Sequence, residues 1–223
     1  MLFSNDQVAS VINEQFEPAW QSLRPVPRVT IDFGNGTVVK RTLHGNVATY
    51  VCTPDGKVLD ILPGIYEPKT YARELRRLAR QFDQWQQPGF DSAAHWQAYH
   101  RSQTESAKRM LASPGKSAAS GRGASIFATE RPTRRTIRGE RPPNLAAAST
   151  SLSDSLAEDT LINQTTRRRK IHERLVKSGP VTPDEISKWL YREVLGTDLD
   201  DPYLGLKEML FKNYPFVEED AED

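Results

Sequence analysis

The chain has 223 residues, 37% of them hydrophobic, with 30 Lys+Arg against 29 Asp+Glu and a formal net charge of +1. That balance excludes whole-surface steering toward nucleic acid or membrane, and an apolar share below the usual ~45–50% implies that part of the chain builds no packed core. The single cysteine, Cys52, excludes an internal disulfide, a CxxC motif and a multi-cysteine zinc site.

In chain order, Ser4-Asn5-Asp6-Gln7 has the form of a capping box, and Val8, Val11, Ile12 and Phe16 follow at helical spacing. A helix over about 5–15 is expected, then a short strand from the alternating Phe16-Glu17-Pro18-Ala19-Trp20. Val29–Phe33 and Thr37–Arg41 read as two strands joined by Gly34-Asn35-Gly36, because Asn-Gly between β-branched runs favours a hairpin. Val47–Cys52 and Lys57–Leu62 read as a second pair, turned by Pro54-Asp55-Gly56, where Pro fixes φ and Gly supplies a positive one. Pro68 opens a helix in which Tyr71, Leu75, Leu78, Phe82 and Trp85 form one buried face. Residues 89–112 read as one further helix. Residues 113–158 are poor in large apolar side chains and rich in Ser, Gly, Pro and Ala; they are expected to be a disordered, basic linker. Residues 159–217 read as a small helical module, and 218–223 as an acidic tail.

The order helix, strand, insert, strand, Pro-Asp-Gly hairpin, strand, helix, together with Phe3–Val8, Phe16–Trp20, His44–Val51, Thr53–Val58 and Pro63-Gly64, resembles a thioredoxin-like domain. The resemblance covers about residues 1–80 and implies an α/β fold, here a reduced thioredoxin-like domain over 1–88 followed by the linker and an all-α C-terminal module. Three positions depart from the family. Its first strand and CxxC turn would precede Ser4, its cis-proline aligns with Val47, and a hairpin over Val29–Arg41 replaces a helix. Thiol–disulfide exchange needs an attacking thiolate and a resolving partner, so the reading is a redox-inactive thioredoxin-like protein acting as an interaction scaffold. An alternative places a CxxC segment upstream of this start and makes the protein a thiol–disulfide oxidoreductase.

Cys52, in the middle of an expected strand, is read as a small core side chain, with a reactive thiol as the alternative. His95 and His100 are five apart, unsuited to sharing a metal on one helix face, and His44 lies beside Gly45 in a turn with no nucleophile near it. No catalytic, cofactor or metal site is expected.

In the C-terminal module, Thr182-Pro183-Asp184-Glu185 is a capping box with Pro at the first helical position. Gly196 is placed to end that helix, and Asp201-Pro202 to start another. Its aromatic residues Trp189, Tyr191, Tyr203, Tyr214 and Phe216 are candidate partner contacts, because a small unit either docks elsewhere or offers such side chains outward. The basic runs, Arg134 and Arg135 in the linker and Arg167, Arg168, Arg169 and Lys170 in the helix, are candidate polyanion contacts; the plainer reading is a solvated helix face. A protein partner is therefore expected, nucleic acid is a second alternative, and an open sheet edge suits a homodimer. No apolar run approaches the ~18–20 residues of a membrane span. The first residues lack a basic start and a long apolar run, so a cytoplasmic protein is expected.

Overall fold

Asn5 starts the first helix, α1 (Asp6–Gln15): its side chain accepts from the N–H groups of Gln7 and Val8 at 3.1 and 3.4 Å. These are donors that a helix start leaves without a partner. The cap is thus one residue later than the Ser4 expected from sequence. The computed structural model describes residues 2–25, 28–32, 34–42, 47–86, 92–112 and 145–205. Val8 and Val11 point from α1 into the core, and after Phe16 the chain is extended but forms no strand. The expected strand over Phe16–Trp20 is therefore corrected: its alternation finds no partner, and Trp20 stays 89% exposed.

Two antiparallel hairpins follow. Strands β1 (Arg28–Asp32) and β2 (Val38–Thr42) form one, and β3 (Ala48–Cys52) and β4 (Val58–Pro63) the other, each a separate two-stranded sheet. All six residues of β4 are buried. The Pro54-Asp55-Gly56 turn forms as the sequence predicts, with Gly56 at φ +79°. Helix α2 (Pro68–Trp85) follows, with Pro68 in its first turn and Tyr71, Leu75, Leu78 and Trp85 buried. Helix α3 (Ser92–Ala112) matches the expected 89–112 segment.

The expected linker is corrected over its last part, since helix α4 spans Leu145–Ile162. That stretch is built largely of Leu, Ala and Ser, and Leu and Ala are among the better helix formers. Residues 113–144 lie outside the described ones. A π-helical turn (Asn163–Arg167) joins α4 to α5 (Arg168–Ser178), which ends at Gly179 with φ +74°. Helix α6 (Pro183–Trp189) starts on the predicted capping box: Thr182 accepts from the Glu185 N–H and Glu185 accepts from the Thr182 N–H. A second π-helical turn (Leu190–Val194) follows it. Residues 202–205 form turns, so no helix begins at Pro202.

The C-terminal helices do not form a unit of their own. Ile171, Leu175, Ile186, Leu190 and Val194 join Val8, Val11, β4 and the α2 stripe in one hydrophobic cluster. Docking is reinforced at the loop between β4 and α2: the Asn163 amide donates to the Ile65 carbonyl at 2.7 Å, and Thr160 accepts from the Glu67 N–H at 2.8 Å. Gly64, at φ +76°, lies where a Cβ would meet the Asn163 side chain at 2.9 Å, so a glycine is required twice over. The architecture is mixed α/β, and no described helix is long and apolar enough to cross a membrane.

Candidate functional site

The apolar strand β4 carries one acid, Asp60, fully buried. Burial alone would raise its carboxyl, but Arg168 overrides that and holds it well below the usual carboxylate range. Arg168 reaches across from α5 and forks between two acids, donating to Asp60 and, at 2.9 Å, to Glu74 of α2. Glu74 also accepts from Arg77 at 3.1 Å, and it too is lowered despite its burial, chiefly by Arg168. Tyr99 of α3 donates to Asp60 at 2.5 Å and accepts from Arg77 at 3.0 Å. Two acids and two guanidinium groups thus balance inside the core, which is how buried charges are tolerated.

Beside them His100 of α3 and His172 of α5 meet Nδ1 to Nδ1 at 2.8 Å. Burial pushes His100 down to about 4, against the pull of Asp60, and pushes His172 well below its ordinary value. Both rings are therefore neutral near pH 7. Asp60 is held ionised and fully buried, and the cluster joins four elements, β4, α2, α3 and α5. Among the described residues no three His, Cys, Asp or Glu side chains are arranged to hold a metal ion.

The residues expected from sequence to form sites are scattered. Cys52 ends β3 and is exposed, so the core reading is corrected: a register shift between Val51 and Cys52 takes it out of the regular pleat. Partial burial of the thiol pushes it up, which keeps it protonated and disfavours nucleophilic chemistry. Trp189 is half-buried with the Arg174 guanidinium 5.7 Å from its ring centre, Tyr191 is buried, and Tyr203 is 42% exposed. These aromatics do not share one surface: Tyr191 lines one cleft and Trp189 another. The basic helical run is split by the turn of the helix. Arg168 is in the core and is withdrawn as a polyanion contact; Arg167 is half-buried and donates to Asn163 at 2.7 Å. Arg169 is half-buried, and Lys170 is exposed and donates to the Glu193 carbonyl at 3.2 Å. Arg134, Arg135, His44, Tyr214 and Phe216 lie outside the described residues.

What sequence reasoning missed is the outer edge of the second hairpin. The Gly64 N–H donates to the Val47 carbonyl at 2.7 Å, which makes 47 and 64 a hydrogen-bonded pair. In the same register Thr49–Leu62 and Val51–Asp60 are bonded pairs, while Ala48–Pro63 and Tyr50–Ile61 are not. The backbone groups of Ala48 and Tyr50 on β3, and of Ile61 and Pro63 on β4, therefore point away from the partner strand. On β4 these are closed: Ile61 N–H donates to the Asp60 carboxylate at 2.7 Å, Val58 N–H to the Val181 carbonyl at 2.8 Å, and Pro63 has no N–H. On β3 the N–H groups of Ala48 and Tyr50 have no backbone partner among the described residues. A cleft of about 230 Å³ lies at this edge, walled by residues 21–25 and by Val47 and Ala48, with Tyr191 and Leu204 also lining it. Arg24 anchors the facing wall by donating to the carbonyls of Leu199, Asp201 and Pro202. No protein family, curated protein or solved structure matches the chain.

Proposed function

We propose that the chain is a redox-inactive, thioredoxin-like interaction module that binds a protein partner by adding an extended segment to the outer edge of β3. The observation that carries this reading is the asymmetry of the hairpin: every N–H on the outer edge of β4 is closed or absent, whereas those of Ala48 and Tyr50 have no backbone partner among the described residues and Ala48 lines the cleft. An exposed row of strand donors and acceptors is a template for a further strand. The sequence order of α1, the β3–β4 hairpin and α2 supports the thioredoxin-like assignment, and the raised Cys52 thiol supports a non-catalytic role. The simplest extended partner is β3 of a second copy, which would make a homodimer.

Amide exchange and light scattering on the same sample test this. The Ala48 and Tyr50 amides should exchange fast in dilute protein and become protected at high concentration as the mass doubles, or when a partner binds. Tyr50→Pro removes the outward N–H along with a ring packed on the core, so a variant that keeps the native circular dichroism should lose the concentration-dependent protection of the Ala48 amide. Slow exchange of both amides in the dilute monomer would sink the edge reading. Insulin reduction that depends on Cys52 would sink the non-catalytic one.

A further inference from the structure

Helix α3 is attached to the rest of the fold along one stripe. Trp96, Tyr99, His100, Thr104 and Ala107 are its buried side chains, and they recur at helical spacing against α5 and the preceding π-helical turn. At the middle of that seam His100 and His172 are 0% and 1% exposed, and their Nδ1 atoms are 2.8 Å apart. A contact that short needs one proton between the two nitrogens, so one ring donates and the other accepts. The surroundings select which. Nε2 of His172 lies 3.8 Å from the Asp60 carboxylate, and Nε2 of His100 has no hydrogen-bond partner. A proton on Nε2 of His172 faces a negative oxygen, so His172 accepts at Nδ1 and His100 donates there. The free lone pair of the seam is then Nε2 of His100, the place where an added proton must go.

Nothing nearby is ready to receive that charge. The groups facing the pair are Asp60 from β4, Glu74 and Arg77 from α2, Tyr99 from α3 and Arg168 from α5; the two acids are already matched by the two guanidinium groups. The Trp96 ring centre lies 4.2 Å from that of His100, and no hydrogen-bond acceptor meets Nε2 among the described residues. A buried cation without a partner is costly, whereas the same imidazolium in water is not.

We propose that α3 is an acid-released helix: protonation at the His100–His172 contact undocks it from α5 while the hairpin, α1, α2 and the C-terminal helices keep their common core. The remaining elements retain Val8, Ile61, Leu75, Leu78, Leu175 and Leu190, none of which belongs to α3. Release would uncover Trp96 and Tyr99 together with the α5 face they cover, a new apolar surface available only in acid.

The test is a nuclear magnetic resonance titration of the full chain from pH 8 to 4, following the α3 amides, the Trp96 indole, the β4 and α2 amides, and the ring protons of His100 and His172. The α3 signals should leave their native positions with a midpoint between the ordinary imidazole value of 6.5 and about 4, while β4 and α2 remain native. The double variant His100→Phe/His172→Phe, which removes every imidazole lone pair of the seam and keeps both rings, should hold α3 in place to lower pH. Loss of α3, β4 and α2 signals at one common midpoint would overturn the proposal, as would an unmoved midpoint in the double variant. Should that variant not fold, the native protein still decides. Either histidine titrating near 6.5 with α3 still docked refutes it, and titration coincident with α3 release supports it.

Discussion

Replacing Arg168 by Met tests whether the buried charge cluster holds the fold together. The substitution keeps an unbranched apolar stem and removes the guanidinium that forks between Asp60 and Glu74. Glu74 retains Arg77 at 3.1 Å, but Asp60 is left with one cation at a longer distance, Arg77 at 3.6 Å, beside the Tyr99 hydroxyl, the Ile61 N–H and Nε2 of the neutral His172. Breaking one partner out of a buried ion pair leaves an uncompensated charge, and the expected loss is about 3–5 kcal/mol at neutral pH. The double variant Asp60→Asn/Arg168→Met removes both charges and should lose much less than the sum of the single changes. The pH dependence carries a sign. In the native protein Asp60 is held below its ordinary value, so its contribution is complete above about 3.8 and is lost as the pH falls through the lower folded value. Without Arg168 burial raises the carboxyl, so the deficit of Arg168→Met should shrink as the pH falls from 7 toward 5. Urea unfolding followed by circular dichroism at both pH values reads all of this. A single-variant loss under about 1 kcal/mol, or strict additivity in the double variant, would mean that Arg168 contributes only through its stem.

Gly64→Ala should cost more than Gly56→Ala, although both glycines have positive φ, because only at Gly64 does the added Cβ meet a side chain, that of Asn163 at 2.9 Å. Thermal melting should place Gly56→Ala near the ~1 kcal/mol typical of an alanine forced to positive φ, with Gly64→Ala clearly beyond it. Leu175→Ala, at a fully buried position shared by the hairpin and helical parts of the core, should lose about 2–5 kcal/mol in a single cooperative transition; two separated transitions would show that the C-terminal helices fold independently. Thr182→Ala removes the side chain that accepts from the Glu185 N–H, and should lose about 1 kcal/mol by the same denaturation assay.

The local elements were legible because each rests on short-range chemistry. The Pro54-Asp55-Gly56 turn, Pro68 opening α2 and the Thr182–Glu185 cap all work through neighbouring residues, and all appear where the pattern puts them. Phe16–Trp20 failed for the opposite reason: alternation specifies a strand only where a partner strand exists to receive it. The long-range polar pairs were harder still. Arg168 stands in a run of basic residues that reads as a solvated face, and its partners lie 94 and 108 positions away. Asp60 did carry a signal, since a lone acid inside Val-Leu-Asp-Ile-Leu-Pro has to be matched by a cation somewhere. His100 shared the helical stripe of Trp96 and Thr104, yet only the fold sets it against His172.

Asp60 links the two surfaces on which the functional reading depends. One of its oxygens, Oδ1, closes the outer edge of β4 by accepting from the Ile61 N–H, and the other, Oδ2, receives Arg168 and Tyr99. The acid that prevents a strand from adding to β4 is therefore the same one that ties α3 and α5 to the sheet. An Asp60→Asn change separates the two roles, because the amide keeps one acceptor oxygen while losing its charge. If that oxygen stays on the Ile61 N–H, the β4 edge remains closed while Arg168 keeps Glu74 and loses the other of its two acid partners. Amide exchange should then show Ile61 still protected and α3 loosened. If it turns toward Arg168, Ile61 should exchange fast and β4 becomes a second open edge. A variant that left both Ile61 and α3 as protected as in the native protein would break the link between edge closure and helix docking.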